Sequence, residues 1–381
     1  MIVRLLMLVT ALGATFVGNA PARGEGDWEI TPQSREALDR GLQWLARNQG
    51  PKGNWDSNDL GLVSLGALAF LADGHTPGRG PYGDNVQRAI DFVLSSAKPS
   101  GLLNISDTRR DMYNHGLSTF VLGQADGMTT DPRIGPVLDR ALKLIANTQC
   151  DDGGWDYVAK RRKKGSDLSL AVMQAKALRS AVDSGFDVPP EVIELAIRSV
   201  REHYRPDRAV LKASGKKGKA IDERSLPGQF TYSGGGGDTL AMAACGVVCL
   251  QEFGQYDDWR IPKSMEVVAA KARKELKSEA GTGTLPLDSY TMYYVGQAAY
   301  QRGGKDWREL YPVLRDAIVK AQVRGKGDAN VNGVWHDNRR VSGKPGDLYG
   351  TSVGCFILAM PNRYLPILQE GKIEGLKKQF Q

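Results

Sequence analysis

Cysteine and histidine are both scarce, with four of each in 381 residues. So few thiols exclude a disulfide framework for a chain of this length. Cys245 and Cys249 lie four apart in one apolar segment and read as small packed hydrophobes, whereas Cys150 reads as the exposed thiol. No two histidines stand four apart, so a helical multi-histidine metal site is excluded, and no metal or cofactor is expected. No G-x-S-x-G frames Ser169, Ser233 or Ser289, and the glycine run at 234–237 lacks the Lys-Ser/Thr ending of a phosphate loop. The formal net charge is +7, but much of the excess sits in two runs, KRRKKG at 160–165 and KASGKKGKA at 212–220. Neither run interleaves aromatics, which excludes a nucleic-acid stripe and leaves solvated loops, with weak contact to an anionic surface as a secondary role.

The chain opens MIVRLLMLVTALGATFVGNAPARG, which has the parts of an export signal: Arg4, an apolar run, and the small-x-small site Ala20-Pro21-Ala22. Its apolar run is shorter than the roughly 20 residues that span a bilayer. The reading is therefore a signal at 1–22, a secreted or periplasmic chain at 23–381 with a basic insertion at about 205–237, and no membrane anchor after processing.

What the rest has in abundance is paired helical periodicity. An amphipathic segment such as VLDRALKLIANT is followed by a glycine-rich link and then by a segment rich in Ala, Leu and Gly, and this order recurs six times. Asp59, Asp111, Asp167, Asp238, Asp288 and Asp347 precede the second segments as N-cap carboxylates would. Small residues such as Gly66, Ala171, Gly296 and Gly354 let those segments approach closely. Hairpins of this kind bury their faces by stacking. Because the last segment is as apolar as the interior ones, the stack is expected to close, giving an all-α fold, an (α/α)6 toroid of six helical hairpins.

Three links carry a shared signature: QGPKGNWD at 49–56, QCDDGGWD at 149–156 and QVRGKGDANVNGVWHD at 322–337. They resemble the Q-x-x-x-G-x-W repeat of the terpenoid cyclase and protein prenyltransferase superfamily, whose twelve helices form such a toroid. In physical terms, Gln reaches backbone groups left open at a helix end, Gly supplies a positive φ, and Trp covers the bend with its N–H near a partner.

The chemistry that the resemblance implies departs from the family at its key positions. Hopene-type cyclases carry D-x-D-D before Thr; here GGGDT keeps Asp238 and Thr239 but has Gly237 at the protonating position. Zinc prenyltransferases carry D-x-C and D-x-x-H; Asp288 matches, but Tyr290 replaces the Cys, and Gly350 replaces the His after Asp347. The C-G-E-Q of complement-type thioesters is missing. Squalene or hopene cyclisation and zinc prenyl transfer are not expected.

The resemblance also places the starts of the second helices around the mouth of the ring. His115, Asp111, Asp238, Asp288 and Asp347 are the candidate catalytic groups, and Tyr113, Tyr232, Tyr290, Tyr294, Trp335, His336 and Tyr349 the candidate ligand contacts. His115 stands out, because a helix N-terminus facing the centre would hold it neutral as a base or donor. Three functions fit. The favoured one is a toroid binding an apolar or isoprenoid-like molecule, which requires an apolar-walled cavity. The alternatives are a lyase- or glycosidase-like carbohydrate-active enzyme, which requires an open groove with paired acids or a Tyr-His-Arg cluster, and an interaction module with a plugged centre.

Overall fold

The computed structural model describes residues 28–165, 167–207, 210, 222–232, 237–278, 283–325, 327–337 and 346–369. The segment expected to be an export signal, 1–22, the basic run at 212–220 and the glycines at 234–236 lie outside the described residues. Among the described residues twelve α-helices alternate between two layers. The outer set is α1 (Pro32–Asn48), α3 (Gly83–Ser95), α5 (Ile134–Thr148), α7 (Pro190–Glu202), α9 (Arg260–Ser278) and α11 (Gly304–Ala321). The inner set is α2 (Leu60–Ala72), α4 (Asp111–Asp126), α6 (Leu168–Asp183), α8 (Leu240–Glu252), α10 (Ser289–Arg302) and α12 (Asp347–Ala359).

Sequence pattern decides the layer. In α5 the buried residues Ile134, Val137, Leu138, Ala141, Leu142 and Ile145 recur at three- and four-residue spacing, so one face packs inward and the other is solvated. In α2 and α8 every residue is buried, as helices surrounded on all sides require. Each inner helix packs on the next, and α12 returns to pack on both α2 and α1, so the ring closes as expected.

The three signature links show how closure is made. Gln49, Gln149 and Gln322 each donate from Nε2 to a carbonyl inside their own link, at Gly53, Gly153 and Gly333. The same Nε2 atoms reach the next outer helix, at the carbonyls of Asn85 (2.7 Å), Val192 (2.8 Å) and Ala37 (2.8 Å). The indole N–H groups of Trp55, Trp155 and Trp335 donate back to Leu45, Ile145 and Ile318 on the preceding outer helix. Gly53, Gly153 and Gly333 have φ of +79°, +86° and +97°, and an added Cβ would sit 2.1–2.4 Å from a carbonyl oxygen of the next outer helix. Gly101 in the second link, without a neighbouring Gln or Trp, makes the same approach to Arg140. The Gln322–Ala37 bond therefore ties the sixth hairpin to the first. Trp335 also fills a slot between Gly41 of α1 and Gly354 of α12, too narrow for a Cβ at either position.

The expected caps divide. Asp59, Asp167 and Asp288 accept from backbone N–H groups of α2, α6 and α10. Asp111 and Asp347 instead lie inside the first turn. Asp238 is no cap, because Thr239 takes that place for α8 with its hydroxyl accepting from Met242. Cys150, read as exposed, is buried under its link. The insertion opens and closes with one short antiparallel pair, β1 (Tyr204–Pro206) on β2 (Gly228–Phe230), within an otherwise helical fold.

The centre of the ring is filled. Lys176 of α6 and Glu252 of α8 form an ion pair of 3.0 Å, both essentially solvent-free. Lys176 Nζ also donates to Gln297 of α10 and lies over the rings of Phe120 and Tyr293, 4.6 and 5.8 Å from their centroids. Phe356 of α12 packs on Tyr293 at 5.1 Å. Five inner helices thus meet across a charged pair, and burial pulls the Lys176 ammonium down while Glu252 opposes it. Removing one partner strands the other charge, so Lys176→Met is expected to destabilise the fold by about 3–5 kcal/mol, with much of the loss recovered in Lys176→Met/Glu252→Met. Equilibrium urea unfolding of the three proteins measures both effects.

Candidate functional site

The inner helices begin at one end of the ring, and the sequence candidates separate there into three groups. The first is structural. His115 lies wholly buried between α4 and α5, its Nδ1 accepting from the Leu103 N–H at 3.2 Å and its Nε2 donating to the Ala141 carbonyl at 3.1 Å. It points toward the outer layer and not into the mouth: one turn after Asp111 it shares that residue's face of α4, which packs on the second link and α5. Tyr290 and Tyr294 are likewise buried in the ring wall, with the Tyr290 hydroxyl beside Cys245 Sγ (3.3 Å) and the Tyr294 hydroxyl donating to Met173 Sδ (3.1 Å). Trp335 is the wedge already described. The carboxylate of Asp111 accepts from Asn104 (2.7 Å) and from the backbone of Ala159 (3.2 Å), which pins the third link against α4.

The second group lies on the rim. His336 Nδ1 and Asp347 pair at 2.6 Å, with their side chains 35 % and 49 % exposed. Asp347 and Tyr349 also border a shallow groove of about 410 Å³ with Trp55, Asp56 and Leu62. Asp288 is held in its cap by the backbone and hydroxyl of Thr291. Asp238 is exposed, and its backbone carbonyl accepts from Lys271.

The third group forms a single connected network between α4, α6 and the insertion. Asp167 accepts from the Tyr157 hydroxyl and from both the backbone and the hydroxyl of Ser169. Tyr113 bonds Ser169, and Tyr232 bonds Tyr157. A carboxylate is acceptor-only and each hydroxyl has one proton. Ser169 and Tyr157 give theirs to Asp167, so Tyr113 must donate to Ser169 and Tyr232 to Tyr157. Two chains of donors thus converge on one carboxylate, leaving lone pairs on the outer phenolic oxygens of Tyr113 and Tyr232. Desolvation raises the Tyr113 phenol, as it does Tyr157 and Tyr232, and so holds all three in their neutral, hydrogen-bearing form. Arg110, bonded to Asp59 at 2.9 Å, lies 5.2 Å from the centre of the Tyr113 ring.

Of this network, sequence reading nominated Tyr113 and Tyr232. Tyr157 stands just past the link at 149–156 with no signal of its own, Asp167 has the place of a cap, and Ser169 lacks a nucleophile setting. No spacing in one dimension joins residues 113, 157 and 232; the Asp111–Ala159 bond and the β1–β2 pair do so in space. Among the described residues no group of three or more His, Cys, Asp or Glu could hold a metal ion. No helix among them is long and apolar enough to cross a membrane.

No protein-family model matches the chain, and no curated protein is similar to it. Solved structures are distantly similar. A D-mannose isomerase superposes with a TM-score of 0.55 at 12 % identity, over 87 % of this chain and 98 % of that one. A variant of the type II terpene cyclase MstE from Scytonema, in complex with geranylgeranyl dihydroxybenzoate, gives 0.54 at 12 % over the same shares. An inactive variant of the alpha-1,6-mannanase GH76A of Salegentibacter sp. HEL1_6, in complex with alpha-1,6-mannotriose, gives 0.53 at 12 %, again over 87 % and 98 %. Identity this low shows the toroid fold and nothing finer. It spans glycosidase and terpene-cyclase structures alike, so the resemblance to terpenoid cyclases holds at the level of the six-hairpin ring.

Burial lowers the His115 imidazole from its ordinary 6.5 to about 4. Protons therefore bind the unfolded chain first, so the His115 contribution to stability is full above pH 6.5, falls as pH drops toward 4, and is flat below. The expected loss across that window is about 3 kcal/mol relative to a His115→Gln variant. Denaturant midpoints of both proteins between pH 7 and 4 measure it.

Proposed function

We propose that this chain is a glycan-recognising toroid that takes a polyhydroxylated ligand at the N-terminal mouth of its inner helices. The observation that carries the reading is the convergent network around Asp167. Its protons all run inward, so the phenolic oxygen of the exposed Tyr232 is left to accept hydrogen bonds, and sugar hydroxyls are matching donors. The tyrosine rings add apolar surface of the kind on which sugar C–H faces pack.

One further observation supports it. The centre holds an ion pair and packed rings where an isoprenoid ligand would need an apolar-walled chamber, which counts against the apolar-ligand reading. Among structures of similar fold, the mannanase carries a mannotriose and the terpene cyclase an isoprenoid substrate, so the fold accommodates saccharides without selecting them. Asp167 is the one carboxylate in the network, whereas glycoside hydrolysis ordinarily needs two facing across the sugar; the proposal is therefore recognition without hydrolysis. With the export signal read at 1–22, the ligand would be an envelope or extracellular polysaccharide.

Titration calorimetry of the full chain with neutral oligosaccharides, α-mannosides among them, and with a prenyl alcohol tests this. Saturable saccharide binding is expected, weakened by up to tenfold in Tyr232→Phe, as loss of a hydrogen bond of about 0.5–1.5 kcal/mol implies. Binding of the prenyl alcohol alone, or saccharide affinity indifferent to both Tyr232→Phe and Tyr113→Phe, would overturn the reading.

A further inference from the structure

The largest cleft among the described residues, about 680 Å³ at the end of the ring opposite the mouth, is bordered by Arg179 and Arg363. Both are paired, with Asp183 and Glu29. Unanswered charge lies instead beside the mouth, on the basic run KRRKKG at 160–165.

That run leaves the third link just past Tyr157 and returns to Asp167, so members of the mouth network flank it at both ends. Lys160 stands three residues after Tyr157 and Lys164 three before Asp167, and chain length alone keeps each Cα within roughly 11 Å of that residue's. The loop is held in place. The Asp151 N–H donates to the Arg162 carbonyl at 3.0 Å, the Ala159 N–H to the Asp111 carboxylate at 3.2 Å, and the Gly165 N–H to Asp152 at 2.9 Å. Gly165 also packs directly on Gly154, where an added Cβ would lie 2.9 Å from backbone atoms.

The acids of the link sort the cations. Asp151 pairs with Arg161 at 2.9 Å, Asp156 pairs with Arg162, and Asp152 accepts from the backbone of Gly154 and Gly165. Lys160, Lys163 and Lys164 are exposed, and among the described residues no hydrogen bond or ion pair engages any of the three ammonium groups. Elsewhere on this rim the charges balance. Exposed Arg109 stands beside Asp107, whose carboxylate accepts from its backbone N–H, and Lys271 approaches Asp238, donating to its carbonyl at 3.3 Å. Two arginines thus fix the loop, and three lysines are left to solvent.

We propose that these lysines form an acid-binding edge of the mouth, so that its glycan is anionic and carries carboxylate or sulfate groups. The inference rests on the reading of Tyr232 as an acceptor for sugar hydroxyls. A ligand that meets a phenolic oxygen as donor and nearby ammonium groups as anion must hold hydroxyls and acid groups close together, as an acidic saccharide does. Lysine offers a point charge where arginine offers a planar fork, so the edge does not choose between carboxylate and sulfate geometry. Nucleic acid is anionic as well, but the loop has no aromatic side chain among its cations on which bases could stack.

The test titrates the full chain by calorimetry with an oligogalacturonate, a sulfated oligosaccharide, a neutral oligosaccharide of equal length and single-stranded DNA. At least one acidic saccharide is expected to bind at least tenfold more tightly than the neutral one, and to lose that advantage near about 1 M NaCl, where charges are screened within ~3 Å. Lys160→Gln, Lys163→Gln and Lys164→Gln combined should bring acidic binding down to the neutral level with the thermal melt unchanged. Lys160→Arg, Lys163→Arg and Lys164→Arg combined should keep it. Tyr232→Phe should weaken acidic and neutral saccharides by the same factor. Acidic and neutral binding of equal strength, acidic binding indifferent to the three glutamines, or DNA bound as tightly as the acidic saccharides would each overturn this inference while leaving the Tyr232 reading in place. Acidic binding that ignores Tyr232→Phe, or no saccharide binding at all, would overturn both.

Discussion

The structure depends on one close approach, that of a glycine in each signature link to the backbone of the next outer helix. At Gly53, Gly153 and Gly333 a side chain is excluded twice over, by a positive φ and by a carbonyl oxygen that would lie 2.1–2.4 Å from a Cβ. That contact fixes how far successive hairpins rotate around the ring, because the link of one hairpin is locked to the outer helix of the following one. The glutamine beside each glycine then satisfies carbonyls on both sides of the joint, and the tryptophan closes its apolar side. Hairpins turned by a similar step either close or form an open spiral, and the Gln322–Ala37 bond shows that they close.

Tight closure has a consequence for the centre. Inner helices lined by Gly, Ala and Ser come together closely, and residues from facing helices meet across the axis. Lys176 survives there only because Glu252 and Gln297 receive its protons, and two aromatic rings lie within reach of its charge. The same ring that could enclose an apolar chamber is here a packed core with a polar knot.

The sequence made the ring legible because ring geometry is repeated: helical period, Asp or Thr at helix starts, and Gln–Gly–Trp links each recur, and repetition is visible in one dimension. It made the mouth only partly legible. Tyr113 and Tyr232 were identifiable as aromatic residues at helix starts and links, but Asp167 looked like any other cap and Tyr157 like part of a link. Their meeting depends on a long-range bond from Asp111 and on an insertion whose short strands carry no strong pattern. His115 misled for a related reason. Its place near the start of α4 was legible, but the face it shares with Asp111 packs on the second link and α5, contacts that no helical period announces. The far cleft was illegible, since it is built from chain segments near residues 28, 179, 300 and 363 that share no periodicity.

The two ends also differ electrostatically, and helix direction explains why. All six inner helices present their N-terminal ends to the mouth, where partial positive charge stabilises carboxylates such as Asp59, Asp167 and Asp288. Those acids are consumed by capping and by the tyrosine network, so the mouth offers neutral phenols and suits neutral donors. At the other end the C-terminal carbonyls carry partial negative charge and favour cations. Arg302 ends α10, Arg179 lies one turn before the end of α6, and Arg363 follows α12. Arg179 and Arg363 border the cleft at that end, paired with Asp183 and Glu29. Parallel orientation of the inner helices, itself a product of six equivalent hairpins, thus gives one ring two ends of opposite helix polarity.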